Sequence, residues 1–246
     1  MQPGGRRFDP VILHIESSEI WQSGLLHLPR KQAKGNLSWV QILLSPPLFF
    51  PIRIIIMRGE WCYFKEFFTP TQCELILNRG LNLPAQDAKL GADGASVIPD
   101  HRKSKIRFIQ QDNAVFTWLF DAMWKKILIA NNDWFSFHLS KLSYIQLAEY
   151  DSAYQGEYKK HHDVFWMNND PIYHRKLTVI VQLTDPDTYT GGDFEFCGIT
   201  EYPNASEIRT RGTVLVFPSF LEHKATPVTS GIRHSLASWV DGPKWV

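Results

Sequence analysis

The sequence predicts an α+β protein, a β-sandwich or jelly roll backed by helices. Three observations lead there. Helix signals are confined to the stretch between residues 70 and 132, and strand-like runs broken by turn clusters fill the chain after residue 135. The chain is also long enough, at 246 residues with 44% hydrophobic and 21% charged, to bury a core without metal or disulfide staples. Disorder, collagen, coiled coil and a disulfide scaffold are excluded as whole-chain readings.

The first helix opens at Thr69-Pro70-Thr71-Gln72, which offers an N-cap, a proline at the first helical position and a glutamine three residues after the cap. Cys73, Leu75, Ile76 and Leu81 can then face a core from a helix over about 70–82. Residues 83–104 are rich in Gly, Ala and Asp and read as a long loop, followed by a short β-like run at Ile106–Ile109. A second helix starts near Asp112 or Asn113 and stops at Asn131-Asn132. The predicted strands are Leu142–Tyr150, Leu177–Leu183, Asp193–Cys197, Thr213–Phe217 and Ser235–Val240. Asp185-Pro186-Asp187 and Gly191-Gly192-Asp193 supply turns between them.

Residues 1–56 read differently. Their six basic residues (Arg6, Arg7, Arg30, Lys31, Lys34, Arg53) outnumber three acids (Asp9, Glu16, Glu19), and residues 1–39 show no hydrophobic period. Val40–Ile56 is strongly apolar, but Pro46, Pro47, Pro51 and Arg53 interrupt it, so it is a poor membrane span. It also lies too far along the chain for a signal peptide. The expected organisation is a poorly ordered or non-native extension at 1–56 and a functional domain at 57–246. The competing expectation is that Ile52–Ile56 adds an edge strand to that domain.

With 26 basic and 25 acidic residues, the net charge of +1 gives no bulk electrostatic case for a nucleic-acid or acidic-lipid partner. Cys62, Cys73 and Cys197 follow no C-x-x-C pattern and suit a reducing compartment, hence a soluble cytoplasmic protein. The basic cluster Arg102, Lys103, Lys105 and Arg107 reads as a solvated strand face, and Arg175-Lys176 as a solvated turn or the flank of a cleft.

The chemistry concentrates at His161-His162-Asp163. Residues two apart in an extended chain share a face, so His161 and Asp163 can reach one metal ion while His162 points away. His223, after Thr213–Phe217 and the turn Pro218-Ser219, is the best-placed third ligand. Two His and one Asp make the facial triad of non-haem Fe(II) oxygenases. Ten residues on, Arg233 precedes Ser235 at alternate spacing. An inward guanidinium there needs an anion, which a dicarboxylate cosubstrate would supply. A helical HD-type phosphohydrolase would need helices where this sequence is strand-like. His138, His174 and His234 read as structural or exposed, Gly191-Gly192 as a turn and Trp239 as core.

In these residues the chain resembles the prolyl/lysyl-hydroxylase-like (PKHD-type) Fe(II)- and 2-oxoglutarate-dependent dioxygenases. The likeness is carried by Y-x-x-x-Y-x-G-x-Y-x-x-H-x-D from Tyr150 to Asp163, by Gly191-Gly192-Asp193-Phe194 and by Gly212-Thr213-Val214-Leu215-Val216-Phe217-Pro218. The pattern His223-x9-Arg233-x-Ser235-x3-Trp239 completes it, and Arg102-x-Ser104 resembles that family's opening of the sheet. The resemblance implies a double-stranded β-helix with helices on one sheet and iron held by His161, Asp163 and His223. It also implies that Arg233 binds the distal carboxylate of 2-oxoglutarate, with Tyr150 and Ser235 hydrogen-bonding to it. Tyr154 and Tyr158 stand as alternatives to Tyr150. The implied reaction consumes O2, uses ascorbate as an external reductant, releases succinate and CO2, and hydroxylates an unactivated C–H bond. A peptidyl proline or lysine is the implied substrate, with a free amino acid or small metabolite as the alternative. Loops 83–104 and 164–176 are expected to shape the cleft, and Asn168, Asn169, Asp170 and Tyr173 favour a polar ligand. A non-catalytic cupin-like binding module and a capsid-type jelly roll are the readings from other classes.

Overall fold

The computed structural model describes residues 59–88, 101–164 and 173–245. In chain order it contains β1 (Cys62–Phe64), α1 (Pro70–Gly80), β2 (Gln86–Asp87), β3 (Arg102–Lys103), β4 (Lys105–Ile109) and α2 (Thr117–Ala130). There follow β5 (Lys141–Asp151), β6 (Glu157–His161), β7 (Tyr173–Gln182), β8 (Thr190–Gly191), β9 (Phe194–Phe196) and α3 (Ala205–Arg209). The last strands are β10 (Val214–Pro218), β11 (His223–Ala225), β12 (Val228–Ser230) and β13 (Ile232–Pro243).

Helix α1 forms as its start signal predicts. The Thr69 side chain accepts from the Gln72 N–H and the Gln72 side chain accepts from the Thr69 N–H, so the capping box closes on both sides. Its buried face is Cys73, Ile76 and Gly80, whereas Leu81 is exposed just beyond the last turn. Asn113 caps a short 3-10 turn at Ala114–Phe116 before α2 begins. The second helix does not stop cleanly at Asn131-Asn132, because a π-helical turn continues through Phe135 and ends at Ser136 with φ 56°. That extra turn buries Phe135, which the sequence reading left out of the core.

The major sheet has the order β1-β10-β7-β13-β5-β4-β2, and a smaller sheet runs β3-β6-β11-β9. Strands β12 and β8 form a separate two-stranded piece. Every described strand pair is antiparallel. The architecture is thus the predicted jelly-roll α+β fold. Strands β5, β7 and β13 are longer than expected, and β6, β11 and β12 are absent from the expected strands. Glu157–His161 escaped because its Tyr, Lys and His residues lack the apolar alternation of a half-buried strand.

Both faces of the major sheet are covered, with a different chemistry on each. Ile145 and Leu147 of β5, Val179 and Val181 of β7, Val214 and Val216 of β10, and Leu236 of β13 pack with Ile76, Leu119, Met123 and Ile127 of the helices. The alternate residues face the smaller sheet. Ile180, Leu215 and Phe217 meet Phe194 and Phe196 there, and Ala148 and Tyr150 meet Ala225 and Tyr158. Between those apolar patches lie buried polar side chains: Gln146, Thr178, Gln182, Arg233 and Ser235.

Gly212 locks the start of β10 to the segment ahead of α1. Its N–H donates to the Gln182 carbonyl at 2.7 Å and its carbonyl accepts from the Phe68 N–H at 3.0 Å. Its φ is +80°, and a Cβ there would lie 1.8 Å from the Phe68 carbonyl oxygen. Gly212→Ala should therefore cost more than the about 1–2 kcal/mol of placing an L-residue in the left-handed region. The measurement is the denaturant midpoint, and an unchanged midpoint would mean the backbone can swing away from Phe68.

Candidate metal centre and its arginine pocket

Three of the sequence-predicted residues meet in space. One ligand atom from each of His161, Asp163 and His223 lies within 4.8 Å of the others. His161 ends β6 and stands opposite His223 of β11 in the ladder, with ring centroids 4.3 Å apart. Asp163 lies two residues beyond β6, tied down by its N–H to the Ser219 carbonyl at 2.8 Å. His162 is exposed, as the alternation predicts.

The protonation pattern follows from the partners. His161 Nδ1 lies 2.8 Å from the Lys159 carbonyl and His223 Nδ1 lies 2.9 Å from the Leu221 carbonyl. A carbonyl only accepts, so each neutral ring carries its proton on Nδ1 and turns an Nε2 lone pair inward. Those lone pairs face the carboxylate: His161 Nε2 is 3.9 Å from Asp163 Oδ1, and His223 Nε2 is 3.5 Å from Asp163 Oδ2. Burial, then the neighbouring His223, push the His161 imidazole down to about 3, so it is neutral at pH 7. Burial alone would raise the Asp163 carboxyl, but His223, His161 and Arg175 outweigh it and hold the group below the usual carboxylate range. Two imidazole Nε2 lone pairs converging on an ionised carboxylate repel one another unless a cation sits among them. The donor set therefore fits a divalent transition metal.

Supports around Asp163 were not visible in the sequence. Thr178 Oγ1 donates to Asp163 Oδ2 at 2.7 Å and lies 3.0 Å from Ser219 Oγ. The Trp239 indole N–H is turned towards Asp163 without closing a hydrogen bond. Aromatic walls complete the surroundings: Tyr158 stacks on His161 at 3.4 Å, and Phe194 and Phe217 flank His223 at 5.4 and 4.9 Å.

Arg233 is buried at 2% exposure, paired in register with Tyr150 across the β13–β5 ladder. Its Nη2 donates to Gln182 Oε1 at 2.9 Å, and its guanidinium carbon is 5.3 Å from the centre of the Tyr150 ring. Ser235 lies two residues along β13 on the same face and is also buried. Of the three candidate tyrosines, Tyr150 is the one beside Arg233. Tyr154 turns away and donates to the Glu149 carbonyl at 3.1 Å, and Tyr158 belongs with His161. Gly192 does more than turn the chain, since a Cβ on it would come within 3.0 Å of Arg233 Cδ. His234 faces the other way, near Glu149, as alternation requires.

Two readings need correction. Arg102 and Arg107 are buried, at 8% and 9% exposure, so of the basic cluster only Lys103 and Lys105 reach solvent. The smaller sheet and β5 cover what β3 and β4 would otherwise show to water. Arg175-Lys176 is not a solvated turn either, because both lie in β7. Arg175 sits 4.0 Å over the Trp239 ring, and Lys176 is buried against Trp245 at 3.6 Å, where desolvation lowers its ammonium to about 8. The expected extension at 1–56, most of loop 83–104, and Asn168, Asn169 and Asp170 lie outside the described residues. Tyr173 is described, and it is exposed on β7.

Fold and site together define a jelly-roll protein with a two-histidine, one-carboxylate centre beside a buried arginine. The sequence pattern of the 2OG-Fe(II) oxygenase superfamily matches residues 145–241 of this chain. A PKHD-type hydroxylase of Synechococcus sp. (strain CC9311) is 34% identical over 88 residues, covering 35% of this chain and 37% of the relative. One of Colwellia psychrerythraea is 28% identical over 91 residues, covering 37% and 40%. The chain thus spans well under half the length of these curated relatives. Among solved structures, a Trichoplax adhaerens prolyl hydroxylase bound to a hypoxia-inducible-factor peptide fragment gives a TM-score of 0.59 at 20% identity, over 74% of this chain and 83% of that one. A Pseudomonas putida prolyl-4-hydroxylase gives 0.56 at 18%, over 76% and 94%. Likeness at that level speaks for the fold.

The Thr178 hydroxyl fixes which Asp163 oxygen is left for a metal. Thr178→Val should weaken divalent-metal binding by roughly 10–100-fold, the usual effect of removing such a support. Calorimetric titration with Mn(II) reads it, and unchanged affinity would show that Ser219 and the backbone tether suffice.

Proposed function

We propose that the chain is an Fe(II)- and 2-oxoglutarate-dependent dioxygenase that hydroxylates an unactivated C–H bond. The observation that carries this reading is the inward convergence of two Nε2 lone pairs on an ionised carboxylate, next to a buried arginine with no carboxylate partner among the described residues. The match of residues 145–241 to the 2OG-Fe(II) oxygenase superfamily pattern supports it.

His161, Asp163 and His223 hold the iron, their rings oriented by the Lys159 and Leu221 carbonyls and the carboxylate by Thr178. Arg233, pre-set by Gln182, takes the distal carboxylate of 2-oxoglutarate, with Tyr150 and Ser235 as hydrogen-bonding neighbours. A guanidinium this deeply buried is costly alone and strongly attractive to a carboxylate, so cosubstrate affinity rests on it. Bound there, iron with 2-oxoglutarate and O2 supplies the oxidation that converts substrate C–H to C–OH as 2-oxoglutarate becomes succinate and CO2. The aromatic walls of Phe194, Phe217 and Tyr158 keep water away from the ligands. Ascorbate enters as an external reductant, with no residue assigned to it.

For the substrate, a proline- or lysine-type carbon is supported by the PKHD-type relatives, and a peptidyl form by the peptide in the Trichoplax neighbour. A free amino acid is favoured by a second buried arginine, argued below. Among the described residues no helix is long and apolar enough to cross a membrane, and the three cysteines are free, which supports a reducing, cytoplasmic setting.

An anaerobic titration with Fe(II), then 2-oxoglutarate, should give a saturable visible metal-to-ligand charge-transfer band. Asp163→Ala should abolish it. Arg233→Ala should leave iron bound but weaken 2-oxoglutarate by about 2–5 kcal/mol. A folded protein with no band would sink the dioxygenase reading. The domain division carries its own expectation: a chain beginning at Met57 should unfold at the full-length midpoint and give the same band. A cooperative loss of stability would make residues 1–56 integral.

A further inference from the structure

A second arginine lies beside the centre with no carboxylate paired to it among the described residues. Arg102 of β3 is 8% exposed and stands opposite Tyr158 in the β3–β6 ladder. Its Nε donates to Ser104 Oγ at 2.8 Å and its Nη2 to Gln146 Oε1 at 2.9 Å, both neutral acceptors. Its guanidinium lies 4.4 Å from the centre of the Tyr158 ring, and Tyr158 stacks on His161. One aromatic ring therefore separates Arg102 from the proposed iron ligand.

The other buried arginines have a negative charge assigned. Arg107 pairs with Glu149 at 2.9 Å, and Arg233 receives the cosubstrate. Among the described residues Arg102 has no carboxylate within ion-pair distance. Around it, Arg102 Nη1, the Gln146 amide N–H and the Tyr158 hydroxyl have no acceptor among the described residues. None of the three is sealed from solvent. Several donors and one full positive charge thus lie together with no acceptor supplied by the described residues.

The charge balance of the loaded centre points the same way. Asp163 and the metal-side carboxylate of 2-oxoglutarate offset the two charges of the iron, and the distal carboxylate offsets Arg233. Among the described residues Arg102 is left over, and a negative group of the substrate would neutralise it. We infer that Arg102, with Gln146 and Tyr158, anchors a carboxylate of the substrate, which makes the substrate a free amino acid or similar small acid rather than a residue inside a peptide. This inference rests on the dioxygenase reading. A mid-chain residue has an amide where a free acid has its carboxylate, and an amide leaves the guanidinium uncompensated.

The test uses the full-length chain, held anaerobic with Fe(II) and 2-oxoglutarate. The probes are the free L-amino acids, proline and lysine among them, and their C-terminal amides. Thermal unfolding and perturbation of the charge-transfer band report binding. At least one free acid should bind about 10–100-fold more tightly than its amide, as expected for a charge-assisted pair. Arg102→Gln should erase that preference while leaving the band and the 2-oxoglutarate affinity intact, and Arg102→Lys should restore part of it. Without ligand, Arg102→Gln should unfold at or above the wild-type midpoint, since it removes an uncompensated buried charge. A clear loss of stability would give Arg102 a structural role and overturn the inference. A wild-type band with no acid preferred over its amide overturns the inference alone. A wild type with no band overturns the dioxygenase reading and the inference with it.

Discussion

Strand register is the constraint on which this site depends. Three cross-strand pairs build it: His161 opposite His223, Tyr150 opposite Arg233, and Tyr158 opposite Arg102. Side chains alternate faces along a strand, so a slip of one residue would turn each of these away from the space between the sheets. The register is held by burial on the far face. Ile145, Leu147, Val179, Val181 and Leu236 are fully buried against the helices, and exposing that set to water is what a slip would cost. The helical layer contributes no site residue. Its work is to make one face of the major sheet so apolar that the opposite face can carry Gln146, Thr178, Gln182, Arg233 and Ser235.

A buried polar face of this kind is unstable unless its groups find partners. Much of it is self-satisfied: Thr178 bonds Asp163, Gln182 bonds Arg233, and Gln146 bonds Arg102. In each case a neutral side chain on the major sheet holds a charged one in place without neutralising it. A carboxylate in place of Gln182 or Gln146 would pair with the arginine and remove its appetite for a ligand. Glutamine fixes the guanidinium and leaves its charge unspent. The same logic applies at the metal ligands, where backbone carbonyls fix both imidazoles through Nδ1 and leave Nε2 open.

How much of this was legible follows from the same geometry. His161, Asp163, His223 and Arg233 could be found because their residue types are chemically distinctive and their spacing survives in the sequence. The Thr69–Gln72 capping box was equally readable, being local. Gln146, Thr178 and Gln182 could not be assigned, since a polar residue alternating with apolar ones reads as the solvent side of a half-buried strand. Only a second sheet, distant in sequence, turns that side into an interior. Arg102 was misread for the same reason: in RKSKIR the alternation looks like a wet edge until β6 and β5 close over it. The signal that could have found these residues lies in β7, where Leu177–Gln182 is buried at every position, showing a strand covered on both faces.

Tyr158 is the element that reconciles the two halves of the interior. A divalent cation and a guanidinium brought close together in a dry space repel strongly, and the fold keeps them on either side of the proposed metal ligand's stacking partner. The π-face of a tyrosine is attractive to a cation, so the ring offsets part of the cost of burying Arg102. Stacked on the neutral His161 imidazole at 3.4 Å, it also ties the position of that guanidinium to the position of the metal ligand. A carboxylate held by Arg102 would then stand at a distance from the iron set by one aromatic ring and one imidazole rather than by a flexible loop. Rigid spacing of this kind is what selective oxidation of one carbon among several demands, because the reacting bond must be presented in a single orientation. The choice of carbon is on this view written into the β3–β6–β11 ladder, from Arg102 through Tyr158 and His161 to His223.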